Sequence, residues 1–277
     1  MLTPLLLLTL WPTALAAASC TRASLKSSTD ALLAALKAGD PSLLTPASPT
    51  LRYDENFKPA TLATGILSRP LPIDHARSLL DTTQCATYTE IVSVAGPAPY
   101  VLGVQLWRDA ADGATLSHVD ALVTTTGDWL FNATGTLRWA SREDWGEIPA
   151  EKRDSRDVIR AGADAYLDIF SDKTVVVPWG KPCARLEGGA YTGSGGPNDR
   201  CDVGIPEGVK LVNRRYVIDE VVGAVDVFLQ FASLADSHEF RFEGGRLRFV
   251  HTITPMGGNP GPGGGKGKGK AKARRTR

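Results

Sequence analysis

The strongest constraint in this 277-residue chain is that it states one pattern twice. Ser117-His118-Val119-Asp120-Ala121-Leu122-Val123, then Gly127-Asp128 and Trp129-Leu130-Phe131, has a counterpart 120 positions later. That counterpart is Ser237-His238-Glu239-Phe240-Arg241-Phe242, then Gly244-Gly245 and Arg246-Leu247-Arg248-Phe249-Val250. Both stretches read as a β-hairpin that ends a run of strands. A repeat of this length is too long for a solenoid unit and suits a small domain, so the sequence predicts two copies of one α+β fold.

Each copy opens with helix and continues with strands. In the first, Leu25, Leu32, Leu33 and Leu36 share a helical face over 25–37, which Gly39 and Pro41 end. A short strand and turn are expected over 51–56, a helix over 74–80, and strands over 88–94, 100–107, 115–124 and 129–131. In the second, 155–170 reads as an amphipathic helix with Asp154 or Ser155 as N-cap, followed by strands over 211–221, 224–231, 239–242 and 246–254. A Gly-rich stretch over 188–208 replaces the middle helix of the first copy. The chain thus divides into a leader (1–19), a first domain (20–140), a polar linker (141–153), a second domain (154–256) and a tail (257–277).

The leader is apolar from Leu5 to Leu10, and Ala14-Leu15-Ala16 supplies the small-x-small pattern that signal peptidase reads. It is too short to span a bilayer, so a secreted, extracellular protein is expected with no membrane span. Cys20, Cys85, Cys183 and Cys201 include no C-x-x-C pair, which favours two disulfides over a metal site. Pairing Cys20 with Cys85 and Cys183 with Cys201 would staple each copy internally, but three connectivities remain open to four cysteines. Asn132-Ala133-Thr134 is an N-glycosylation acceptor for a eukaryotic secretory pathway.

The near-neutral total charge conceals an uneven distribution. Seven of the 31 basic residues lie between Lys266 and Arg277, where no acid occurs, so the remaining 24 face all 30 acids. A Gly-Lys alternation buries too little apolar surface to order itself, and it suits an anionic polymer as partner.

Helices followed by a curved antiparallel sheet, closing on Glu243-Gly244-Gly245-Arg246-Leu247-Arg248-Phe249, resemble the NTF2-like cone and its SnoaL-like branch. That branch contains polyketide cyclases, dehydratases and ketosteroid isomerases. Pro182-Cys183-Ala184-Arg185-Leu186-Glu187-Gly188-Gly189 and Asn213-Arg214-Arg215-Tyr216-Val217-Ile218-Asp219-Glu220 are similar to segments of secreted fungal proteins of unknown function built from such a domain. The resemblance, which runs from about Cys20 to Met256, implies two NTF2-like cones in tandem, each with a pocket.

Within such a cone, shielded carboxylates and imidazoles serve as acids and bases. Asp219, Asp226 and His251 are the candidate catalytic groups, with Tyr216 as hydrogen-bond donor. Alternation sets Arg215, Val217 and Asp219 on one face and Arg214, Tyr216 and Ile218 on the other. On the next strand Val225, Val227 and Leu229 form an apolar face, and Asp226, Phe228 and Gln230 a mixed one of the kind a pocket wall needs. Phe228, Gln230 and Arg214 are accordingly the candidate pocket lining. The competing reading of Asp219 is a cross-strand salt bridge with Arg214, Arg215 or Arg248. His118 and His238, each after a serine, read as positional markers of the fold. No histidine pair has i,i+4 spacing and no phosphate loop or nucleophile elbow occurs, so neither metal nor cofactor is expected.

The chain therefore reads as a secreted protein that binds a small apolar molecule in a cone pocket. The alternative is a cofactor-free isomerase, cyclase or dehydratase acting on a polyketide-like or steroid-like substrate. A second is an extracellular structural or host-interaction protein.

Overall fold

A computed structural model describes residues 20–109 and 111–257; the leader and all of the basic tail beyond Gly257 lie outside them. Thr21 accepts a hydrogen bond from the Ser24 amide and starts α1 (Arg22–Ala38), which buries Leu25, Leu32, Ala35 and Leu36. Gly39 ends it in the left-handed conformation at φ 65°. The strands β1 (Ala47–Glu55), β2 (Lys58–Pro59), β3 (His75–Asp81), β4 (Ala86–Ser93), β5 (Tyr100–Arg108) and β6 (Leu116–Thr124) then form a sheet in the order β2-β1-β6-β5-β4-β3. Only the β1–β6 pair in it is parallel.

After α2 (Ala133–Ala140), Ser155 caps α3 (Arg156–Asp168). A second sheet follows from β7 (Trp179–Glu187), β8 (Ala190–Tyr191), β9 (Leu211–Asp219), β10 (Ala224–Phe231), β11 (Leu234–Glu243) and β12 (Arg246–Ile253). Its order, β8-β7-β12-β11-β10-β9, repeats the first strand for strand, with β7 and β12 as the parallel pair. The protein is α+β, with two open mixed sheets each preceded by helix, an arrangement consistent with tandem NTF2-like cones. Disulfides join Cys20 to Cys85 and Cys183 to Cys201.

Three local expectations are corrected. Residues 75–81 form a strand rather than a helix, because Ala76 packs toward the α1 core while Leu79 packs toward the second sheet, which erases a simple period. Trp129-Leu130-Phe131 is a turn leading into α2, whose N-cap is Asn132, and not a strand. The apparent repeat is also out of register by one strand, since His118 lies on β6 and His238 on β11. Asp81 pairs with Ala86 as Asp219 pairs with Ala224, which equates β3 with β9 and β4 with β10. Continuing the register, the first-domain counterpart of His238 is Val104, and that of Asp236 is Leu102.

The sheet faces turned away from α1 and α3 pack on each other, with the Tyr88 ring set edge-on to Phe228 at 6.1 Å. Two reciprocal ion pairs lock this contact. Arg156, the first residue of α3, reaches both oxygens of Asp81 at 2.9 and 2.7 Å, and Asp81 also accepts from the Ile218 amide at 2.8 Å. Arg22, the first residue of α1, reaches Asp219 at 2.6 Å, and Asp219 accepts from the Leu80 amide at 2.9 Å. Equivalent residues exchange equivalent contacts, as in an isologous dimer contained in one chain.

Candidate active site

On its sheet-facing side α3 buries Ile159, Ala163, Tyr166 and Leu167. Gly162 permits the close approach, since a Cβ there would stand 2.4 Å from Cε1 of Phe242. Around the C-terminal end of the helix a cavity of about 160 Å³ remains. Trp129, Tyr166, Phe170, Phe231, Leu234 and Met256 give it an apolar wall. Arg185 and Glu187 from β7, Asp236 and His238 from β11, and Thr252 from β12 supply polar groups.

These groups are partly occupied with one another. Asp236 accepts from the Thr254 hydroxyl at 2.6 Å, and its other oxygen lies 3.0 Å from His238 Nδ1, off the alignment of a hydrogen bond. The Trp129 indole donates to Glu187 at 2.6 Å, and Arg185 Nε lies 3.3 Å from the same carboxylate. The His238 ring is held among Tyr166, Phe170 and Phe240 at centroid distances of 5.8 to 5.9 Å. Burial pushes the Tyr166 hydroxyl up to about 12 against the opposing pull of Arg185, so it is a neutral donor. Among the described residues, Tyr166 Oη and Thr252 Oγ1 have no hydrogen-bond partner, while His238 Nδ1 and Arg185 Nε each have only a poorly aligned carboxylate beside them. Leaving such groups buried and unpaired costs about 1–3 kcal/mol each, so this cavity is a place where a polar ligand or water would complete the network.

The corresponding space in the first domain is closed. Leu102 and Val104 replace Asp236 and His238, and both belong to a buried cluster with Leu32, Leu36, Ile66 and Leu67. Tyr53 stands in the place of Arg185. Its hydroxyl donates to Glu55, which also receives the Ile66 amide and so fastens the 66–68 turn over the cone.

Residues 152–254 match the family described as "Domain of unknown function (DUF8021)". The matched stretch contains α3, β7 through β12 and every polar cavity residue named above. No curated protein matches the chain.

None of the seven site residues expected from the sequence lines this cavity. Asp219 is held by Arg22 of the other domain rather than by a neighbouring strand. Asp226 lies between the sheets, where Ser237 and Gln105 donate to it at 2.6 and 2.7 Å. Burial pushes its carboxyl well above the usual range despite those bonds. His251 is also between the sheets, 2.7 Å from Glu90 and 2.6 Å from Glu143. Burial pulls its imidazolium down, but the two carboxylates prevail and hold it at about 10. Tyr216 donates to Asp164 of α3 at 2.6 Å, and Arg214 clamps Asp164 and Asp168. Phe228 packs against Tyr88, and Gln230 accepts from Asn213 at 2.7 Å. The β10 face carrying Asp226 and Phe228 is mixed because it meets another sheet, while Val225, Val227 and Leu229 face the α3 core as the alternation predicts.

Sequence reasoning overlooked Asp236, Tyr166 and Arg185, and discounted His238. The available signal was alternation along β11, which puts Asp236, His238 and Phe240 on one face.

Proposed function

We propose that the second domain binds a small, largely apolar molecule in the cavity between α3 and its sheet. The observation that carries this reading is the substitution of Leu102 and Val104 by Asp236 and His238 at the same positions of the same fold. A buried acid–imidazole pair placed where a sister domain uses hydrocarbon, with Tyr166 Oη and Thr252 Oγ1 unpartnered on the cavity-lining residues, calls for a ligand bearing oxygen or nitrogen. Size narrows the class. A cavity of about 150 Å³ holds one benzene, so a volume of about 160 Å³ suits a single ring with a polar substituent rather than a fused ring system. The 1–19 leader and two disulfides support secretion, and the basic tail suits an anionic polymer.

A second reading, proton transfer on the bound molecule, is favoured by the 3.0 Å approach of His238 to Asp236 opposite a neutral Tyr166 hydroxyl. In it, His238 is the base and Tyr166 a donor to developing negative charge. Mass spectrometry of small molecules released from purified protein tests the binding reading. A single-ring compound should leave with wild type and be absent from the Asp236→Leu, His238→Val variant. Equal recovery from both proteins would refute a site at these residues.

A further inference from the structure

The first sheet carries a cluster that the cavity does not use. In the parallel β1–β6 pair, Arg52 stands opposite His118 and Asp54 opposite Asp120, so four polar residues form one block on one face. Like charges directly opposite each other destabilise a sheet unless something cationic lies between them. Asp54 and Asp120 are each only 1 % exposed, and His118 approaches Asp54 at 2.8 Å through Nε2.

Two arginines match the two carboxylates in charge but engage only one oxygen of each. Arg52, 65 % exposed, reaches Oδ2 of Asp54, and Arg215 from the second domain reaches Oδ2 of Asp120. Oδ1 of Asp54 and Oδ1 of Asp120 are both buried without any partner among the described residues. One ligand atom from each of Asp54, His118 and Asp120 falls within 4.8 Å of the others, so side-chain adjustment inward would bring all three to the roughly 2.0–2.2 Å that zinc needs.

A second cluster, Glu90, Glu239 and His251, shows the contrast. Arg77 already sits inside it, bonded to Glu239 and 3.3 Å from Glu90, and both nitrogens of His251 are engaged by carboxylates. That group already holds a protein cation at its centre, with Glu90 Oε1 left without a hydrogen bond beside Arg77. The Asp54 group keeps two acceptor oxygens in reserve.

We propose that Asp54, His118 and Asp120 bind a divalent transition-metal ion, zinc first, on the outward face of the β1–β6 pair. One imidazole nitrogen with two carboxylates is a borderline donor set that zinc accepts at short range, whereas calcium and magnesium prefer all-oxygen shells. The site is confined to the first domain. The register puts Ala184, Leu186, Phe249 and His251 at the corresponding positions of the second sheet.

The test uses untagged full-length protein with its disulfides intact, freed of metal by a chelator and titrated calorimetrically with zinc, with bound metal counted by mass spectrometry. One zinc per chain is expected. His118→Ala should weaken it by about 100-fold or more, as loss of a direct ligand exceeds the 10–100-fold cost of losing a supporting one, while His238→Ala leaves it unchanged. X-ray absorption on the wild-type zinc complex, which needs no variant, should find one imidazole among oxygen ligands. Absence of stoichiometric zinc, unchanged affinity in folded His118→Ala, a shell without imidazole, or preference for calcium or magnesium would each overturn the assignment.

Discussion

The two domains share strand order, parallel pair and helix placement, yet one cone is filled and the other is hollow. In the first, Leu102 and Val104 meet Leu32, Leu36, Ile66 and Leu67, and Glu55 pins the 66–68 turn across the opening. In the second, Asp236 and His238 replace the aliphatic pair, and Glu187, equivalent to Glu55, instead holds the Trp129 indole at the cavity wall. The difference teaches that topology makes the cone while a few inward positions decide whether it becomes core or site. The first domain then serves as the partner that covers the back of the second sheet.

The comparison can be broken most forcefully at the contact the domains share equally. Asp81→Ala and Asp219→Ala should each cost about 3–5 kcal/mol in chemical denaturation, because each removes a fully buried carboxylate that accepts from an arginine and from a buried backbone amide of the other domain. A large loss from only one would show that the two-fold relation is not energetic. Next, Leu102→Ala should cost about 2–5 kcal/mol, and Leu234→Ala, at the wall of the open cavity, less than about 1 kcal/mol by the same measurement. Copying the first domain into the second by Asp236→Leu with His238→Val should leave the melting temperature level or higher, since a buried, poorly aligned acid–imidazole pair gives way to hydrocarbon. The same variant should abolish ligand binding in calorimetry.

The smallest effect is a pH dependence that belongs to the interface rather than to either cone. His251, held at about 10 in the folded protein, stabilises fully below its unfolded value of 6.5 and loses that contribution as pH rises through about 10. For Glu90, burial favours the neutral acid, but His251 and Arg77 prevail and hold it at about 2. Its contribution is complete above 4.5 and fades as pH falls toward 2. The His251–Glu90 contribution, read as the difference in melting temperature between wild type and His251→Gln, should therefore be largest between roughly pH 4.5 and 6.5 and shrink above as His251 loses its proton.

What could be read from the sequence was local. The α1 and α3 faces follow from leucine and isoleucine spacing, and β9 through β12 from alternation between glycine turns. The strand at 75–81 escaped because both of its faces are covered, one toward α1 and the other toward a second sheet no local pattern announces. The same second sheet explains the candidate site. Asp226, Phe228 and His251 form the mixed face that a pocket would need, but a mixed face also suits a sheet-to-sheet contact, and only the partner distinguishes them. His238 was visible and misplaced, since its likeness to His118 compares β11 with β6. Arg185, Tyr166 and Trp129 converge from separate elements and leave no joint trace in the chain.

The hollow second cone is tested most directly by a crystal structure of the full chain soaked with phenol, a single ring with one hydroxyl. The account predicts an ordered ring between α3 and β11, its hydroxyl bonded to Tyr166 or His238, with the first cone unchanged. Phenol lodged in the first cone, or a second cone closed by Tyr166 and Phe170 with no ring inside, would contradict it.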